Sequence, residues 1–257
     1  MQLRRFASGV GGVVALWAWA SAGAVAAQTT AAVTAEVTVS RPGSFSGGHH
    51  HGNIGNRWDE SQVVVWLTPV DGSVSKNQGS SASDAKSPEL VQRNKMFEPH
   101  IIVVQLGSLI RFPNKDPFFH NIFSMYDGKR FDLGLYEAGT SRSVRFDRPG
   151  VSYLFCNIHA EMSAVVVVVD TRYFAMSDHA GHVTIPDVPD GRYQLHVWYE
   201  RSLPENLKEM SREVTISEKT RSLGAIRVVD NPNFTFAHKN KYGEDYVPPP
   251  AEGYQNP

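Results

Sequence analysis

Residues 152–170, SYLFCNIHAEMSAVVVVVD, contain three side chains that can bind a transition metal. Cys156, His159 and Met162 follow C-x₂-H-x₂-M spacing, and Cys156 is the only cysteine of the 257-residue chain. A further histidine, His120, lies upstream in FPNKDPFFHNIFS. Thiolate and thioether sulfur favour Cu(I), whereas imidazole nitrogen binds both Cu(I) and Cu(II). A site built from these four donors therefore favours a copper ion that changes its oxidation state.

Each of these residues also has a simpler interpretation. A buried cysteine or methionine at a strand end is most often part of an apolar core, and a single histidine is most often a polar surface group. Zinc accepts thiolate and imidazole ligands, but a thioether is not among its usual donors. One copper ion with four protein donors leaves no open position for a substrate, so we expect a binding protein rather than an enzyme.

The segments that must position these residues have the pattern of strands. Alternating or continuous apolar runs occur at residues 33–40, 62–70, 100–114, 141–150, 151–156, 163–170, 181–200, 211–217 and 223–229. Short runs with turn residues between them predict an all-β chain of antiparallel sandwiches. One short helix is expected at residues 205–210, and the Gly- and Ser-rich stretch 71–85 is typical of a solvated loop. Cys156 would end one strand and Met162 would start the next, so a tight loop would bring the donors together.

The segment from Met96 to Asp170 resembles the cupredoxins, the blue-copper family of plastocyanin and amicyanin. The resemblance rests on the order FPNKD, HN and FCNIHAEM, and the short loop from cysteine to methionine is most similar to that of amicyanin. It implies one copper ion with four ligands: His120, Cys156, His159 and Met162. It also implies that Asn121 supports the site, with its backbone N–H facing the thiolate and its side chain tying the two ligand loops together. Asn157 and Ile158 depart from the Thr-Pro or Ser-Pro pair that is common in the family.

A second resemblance covers DHAGHVTIPDVPDGRYQLHVWYE, which is similar to the carboxypeptidase-regulatory or transthyretin-like sandwich. We therefore expect a cupredoxin Greek-key sandwich plus a second, transthyretin-like sandwich. In our hypothesis residues 28–93 and 171–230 form the transthyretin-like sandwich, the cupredoxin (94–170) is inserted, and residues 231–257 are a tail extended over the surface. The alternative is three consecutive pieces. The layout is similar to that of bacterial proteins labelled methylamine-utilisation proteins, although no residue indicates an amine dehydrogenase as partner.

The first residues have the pattern of a secretory signal. Two arginines precede an apolar stretch that ends on small residues, which predicts cleavage near Ala27 and export to a bacterial periplasm. A membrane anchor is the alternative interpretation. No later segment is apolar enough to span a bilayer, so we expect no membrane span after cleavage. Residues 1–27 hold Arg4 and Arg5 and no acid, so 25 basic and 26 acidic residues become 23 and 26. This near-neutral balance does not favour nucleic-acid binding.

From these observations we expect a periplasmic protein with one blue copper that transfers single electrons between protein partners such as a cytochrome or a dehydrogenase. The resemblance implies that electrons leave through His159. The alternative is a protein that binds or delivers copper without carrying electrons, and a third possibility is a sandwich that keeps the metal for stability. The run His49–His51 within GGHHHGN is either a solvated loop or a site of copper capture, and the sequence leaves this open.

Overall fold

The computed structural model describes residues 30–40, 62–70, 87–125, 128–235 and 238–246. The predicted signal peptide (1–27), the histidine run His49–His51, the predicted loop 71–85 and residues 247–257 of the predicted tail lie outside these ranges. The described residues form sixteen strands and one short helix. Among them, no helix is both long and apolar enough to cross a membrane.

The first eight strands in chain order are β1 (Thr30–Ser40), β2 (Val64–Pro69), β3 (Val91–Arg93), β4 (Met96–Glu98), β5 (Ile101–Gln105), β6 (Leu109–Pro113), β7 (His120–Ser124) and β8 (Phe131–Tyr136). The others are β9 (Ser141–Arg145), β10 (Gly150–Phe155), β11 (Ser163–Val169), β12 (Phe174–Met176), β13 (His182–Pro189), β14 (Gly191–Trp198), β15 (Arg212–Ile216) and β16 (Ser222–Val229). The helix α1 (Pro204–Met210) lies between β14 and β15.

The predicted all-β fold class is confirmed, and the one helix forms where we expected it. Proline stands in the first turn of α1, where the backbone N–H that it lacks would have no partner within the helix. Glu205 in the first turn and Lys208 in the last turn have the charges that the helix dipole favours there. The sequence did not predict β3, β4, β7, β8 and β12. Three of these have only three residues, and β7 is buried at every position, so none of those four shows the alternation expected of a half-buried strand.

The first sandwich packs the sheet β13-β1-β16 against the sheet β12-β2-β14-β15. Alternate residues of β1 enter its core: Val33, Ala35 and Val37 are buried, while the residues between them are exposed. From the other sheet, Tyr193 and Leu195 enter the same core. This alternation is what one covered face and one solvated face require of a strand.

Strands from both ends of the described chain share these two sheets. β1 runs antiparallel to β13 and parallel to β16, and β2 runs antiparallel to β14, with Leu67 opposite Leu195. Strands β1 and β2 thus pair with strands of residues 171–230 across the intervening segment. The division into domains remains our proposal.

The second sandwich combines the five-stranded sheet β5-β11-β10-β7-β8 with the two-stranded sheet β6-β9. Its core includes Phe112, Ile122, Phe146, Leu154 and Val166. The β3–β4 hairpin adds to this core, because Leu90 and Phe97 are buried in it. The boundary that we placed between residues 93 and 94 falls in the turn of this hairpin, so the packing favours an earlier boundary.

A third apolar layer joins the two sandwiches. Val165, Val167 and Val169 of β11 pack with Val64 and Trp198 of the first sandwich. The alternate residues of β11 face the other way, into the second core. β11 is therefore buried on both faces, which explains why VVVVV shows no alternation of polar and apolar residues.

We predict that Val166→Thr and Val167→Thr each lower the free energy of unfolding by about 1–3 kcal/mol, because each buries a hydroxyl in an apolar layer. Urea denaturation measures both variants. Val70→Thr is the matched control, since Val70 is 45% exposed; its cost should stay within about 0.5 kcal/mol. A cost that small for Val166→Thr or Val167→Thr would show that one face of β11 is open to water.

Candidate metal centre

Three of the four predicted ligands converge on one point. His120 is the first residue of β7, Cys156 directly follows β10, and His159 lies in the loop before β11. The Cys156 Sγ lies 3.8 Å from Nδ1 of His120 and 3.5 Å from Nδ1 of His159. Potential ligand atoms of all three residues lie within 4.8 Å of one another. They form the only such group of His, Cys, Asp or Glu among the described residues.

These separations fit a single metal ion. A first-row metal such as zinc binds imidazole nitrogen at about 2.0 Å and thiolate sulfur at about 2.3 Å. Two such ligands lie roughly 3.5 Å apart at a tetrahedral angle and roughly 3.7 Å apart at a trigonal angle. The observed distances of 3.5 and 3.8 Å agree with both arrangements. The sulfur and the two Nδ1 atoms therefore form a pocket in which one ion can be held.

Met162 closes the loop that carries two of these ligands. Its carbonyl oxygen accepts a hydrogen bond from the backbone N–H of Cys156 at 3.2 Å, and its own N–H donates one to the His159 carbonyl at 3.1 Å. The Met162 side chain is fully buried in the same apolar core as Cys156. A thioether in this core can serve as a fourth donor, and that role remains a prediction.

A carboxylate orients the imidazole of His120. Nε2 of His120 lies 2.8 Å from Oδ2 of Asp116, and both side chains are buried. With Nε2 held by the carboxylate, Nδ1 is the nitrogen that faces the sulfur. Burial raises the pKa of Asp116, but hydrogen bonds from the backbone N–H of Lys95, from His120 and from the N–H of Asn94 outweigh it, so the net pKa is lowered.

The turn of the β3–β4 hairpin supplies these two N–H groups. Asn94 and Lys95 both have positive φ, 54° and 55°, and donate to Asp116 over 2.6 and 2.9 Å. Asp116 was in the quoted FPNKD motif, but the sequence analysis gave it no role. A carboxylate four residues before a candidate histidine ligand is the signal that could have identified it.

The Cys156 sulfur is surrounded by backbone donors. Burial raises the pKa of the Cys156 thiol, while N–H groups of Asn121, Ile158 and His159 oppose this by hydrogen bonding to the sulfur. The supporting role that the resemblance implies for Asn121 remains a prediction. These donors favour a thiolate, and a metal cation would supply the remaining charge compensation.

His159 is held between aromatic rings and is partly exposed. Its ring centroid lies 4.9 Å from that of His120, and Phe118 packs against both rings at 5.2 and 5.5 Å. Burial lowers the pKa of His159, and the nearby His120 and Lys95 lower it further. A lowered pKa favours the neutral imidazole, which is the form that binds metal.

The Asn121 side chain does not bond directly to the other ligand loop. Its Nδ2 donates to Oδ1 of Asp132 on β8 at 2.7 Å. The carboxylate of Asp132 also accepts a hydrogen bond from Nζ of Lys241. The backbone N–H of Lys241 donates to Oδ1 of Asn157 at 2.9 Å. The implied tie between the two loops therefore runs through Asp132 and the C-terminal segment.

Other histidines lie outside the group. His100 contacts Glu200 at 2.8 Å and the Ser163 carbonyl at 3.1 Å, and His196 stacks on Trp66. His238, for which the sequence suggested no role, stacks on Phe155 beside the candidate site. Residues 238–246 of the predicted tail pack against the loop that follows β10.

No protein-family model matches the chain, and no curated protein matches it. Among solved structures, the chain is similar to a purple cupredoxin from Nitrosopumilus maritimus, with 20% identity over 32% of this chain and 99% of that one, and a TM-score of 0.30. A reduced Cu(I) form of the P52G mutant of amicyanin matches with 16% identity over 41% and 98% of the two chains, and a TM-score of 0.31.

A Cu-containing nitrite reductase from Thermus scotoductus SA-01 matches with 20% identity over 40% of this chain, and a TM-score of 0.32. The match spans only 25% of the reductase chain. TM-scores this low do not assign the chain to a family.

We predict that Asp116→Asn weakens Cu(II) binding by about 10- to 100-fold, because a ligand histidine loses its anionic partner. Competition with a calibrated Cu(II) chelator measures this affinity. Asp147→Asn is the control, since Asp147 is an exposed acid that pairs with Lys129 at 2.9 Å. Equal affinities of the two variants would contradict the role of Asp116.

Proposed function

We propose that this chain is a periplasmic protein with one copper ion that transfers single electrons between protein partners, such as a cytochrome or a dehydrogenase. One observation carries the proposal: a buried thiol lies between two imidazole nitrogens at distances that one ion can bridge. The periplasmic setting rests on the predicted signal sequence.

The types of donor favour copper over zinc. Cys156, His120 and His159 would suit either ion, but the buried Met162 beside them adds a thioether, which copper accepts far better. A bound copper ion would supply a one-electron couple between Cu(I) and Cu(II).

The surroundings of the donors favour electron transfer over catalysis. His120, Cys156 and Met162 are completely buried, so a substrate has no access to the ion from their side. His159 is the partly exposed member, and its neighbour Ile158 is 47% exposed, as is Phe119 at 52%. An electron would leave through the His159 edge, where an apolar partner surface can approach closely.

Contacts with neighbouring groups fix the positions of the donors. The carboxylate of Asp116 orients His120, and three backbone N–H groups surround the sulfur. A preorganised site needs little rearrangement when its charge changes, and this lowers the barrier to electron transfer. The same arrangement would slow release of the ion, which disfavours the alternative of copper delivery.

We predict that Cu(II) added to the purified protein gives an intense blue thiolate-to-copper absorption band. Cys156→Ser should abolish this band, because the sulfur is its source, whereas His182→Ala should leave it intact. His182 is an exposed histidine outside the group. A band of normal intensity in Cys156→Ser would refute the ligand assignment.

The same copper-loaded sample separates the two functions. An electron carrier should cycle between its oxidised and reduced forms at an electrode without losing copper. A delivery protein should instead surrender Cu(I) to an acceptor protein or chelator within the same time.

A further inference from the structure

We propose that residues 238–246, here called the C-terminal strap, are part of the metal centre. In this proposal Tyr246 and Lys241 are positioning residues that fix the loop 156–162 from outside. The inference rests on the proposed function, since it assigns the strap to the site that would hold copper.

The first contact fixes the backbone of the cysteine itself. The Tyr246 hydroxyl donates to the carbonyl oxygen of Cys156 at 2.7 Å, across 90 residues of sequence. A hydrogen bond at this carbonyl restrains the peptide that follows the cysteine. It therefore restrains the direction in which the loop leaves β10.

A histidine holds the tyrosine in place. Nδ1 of His238 lies 3.3 Å from the Tyr246 hydroxyl and 3.2 Å from the Lys239 carbonyl, so a protonated Nδ1 can donate to both. The His238 ring stacks on Phe155, with centroids 3.9 Å apart and planes 28° apart. Phe155 directly precedes Cys156, so the strap contacts both sides of the cysteine.

Lys241 joins the two chain segments that carry the candidate ligands. Its N–H donates to Oδ1 of Asn157, the residue after Cys156, and its Nζ lies 2.8 Å from Oδ2 of Asp132. Asp132 in turn accepts a hydrogen bond from Nδ2 of Asn121, the residue after His120. A continuous chain of hydrogen bonds thus connects both ligand segments through the strap.

The placement of these contacts favours a role at the site over simple coverage of the surface. They reach Phe155, Cys156 and Asn157 on one segment and, through Asp132, Asn121 on the other. Apart from the intermediate Asp132, each of these residues is a candidate ligand or stands next to one. A strap with this pattern limits the movement of the loop while the ion is absent or changes its charge.

The test compares Tyr246→Phe and Lys241→Met with the controls Lys208→Met and Lys219→Met. Lys208 and Lys219 are exposed lysines outside the strap. In the metal-free protein we expect both strap variants to speed alkylation of Cys156 and amide exchange within residues 156–162 by roughly 3- to 10-fold, as loss of one hydrogen bond implies. Both controls should match the wild type.

In the copper-loaded protein, transfer of Cu(I) to a chelator should accelerate by a similar factor, and the thiolate-to-copper band should shift in the strap variants alone. Amide exchange in β13 should not change, which excludes general destabilisation.

If both strap variants match the controls in all readouts, the proposal is wrong. If the wild type shows no thiolate-to-copper band, the proposed function fails, while alkylation and exchange of the metal-free protein still decide the role of the strap.

Discussion

A fully buried sulfur held between two imidazole nitrogens is the constraint on which the rest of this structure depends. Removing a thiol and two imidazoles from water is costly unless each polar atom has a partner. Asp116 provides that partner for His120, and backbone N–H groups provide it for Cys156. Burial still raises the pKa of the Cys156 thiol and so disfavours the thiolate. A cation placed between the sulfur and the two nitrogens would stabilise the thiolate.

The stacked sheets hold these groups in place. β10 pairs with β11 over the full length of β10, from Gly150 opposite Val168 to Phe155 opposite Ser163, so the candidate ligand loop starts and ends on one ladder. β11 also pairs with β5 and is packed on both faces, by the core that contains Cys156 and Met162 on one side and by the first sandwich on the other. The first sandwich thus supports the strand on which the loop ends.

The sequence was sufficient for the parts of the site that depend on local spacing. C-x₂-H-x₂-M between two strand-like runs predicted the loop, and the structure brings His120 to the same point as Cys156 and His159. The all-β class followed from the apolar runs. The hairpin that supports Asp116 was missed because its strands have only three residues, too few for any periodicity to be visible.

The strap was missed for a different reason. Its hydrogen bonds join residues that are 84, 90 and 109 positions apart, and Pro- and Tyr-rich composition carries no information about such distant partners. Likewise, the apolar run in β11 predicted a buried strand, but only the structure identifies the second layer that covers it. Local pattern therefore located the donors, while long-range packing determines how firmly they are held.

X-ray absorption at the copper edge, recorded on the loaded protein in both oxidation states, tests the central claim most directly. One sulfur and two imidazole nitrogens at short distance, with nearly unchanged bond lengths after reduction, is the result that this account predicts. A first shell of nitrogen and oxygen alone, or the loss of the sulfur on oxidation, would contradict it.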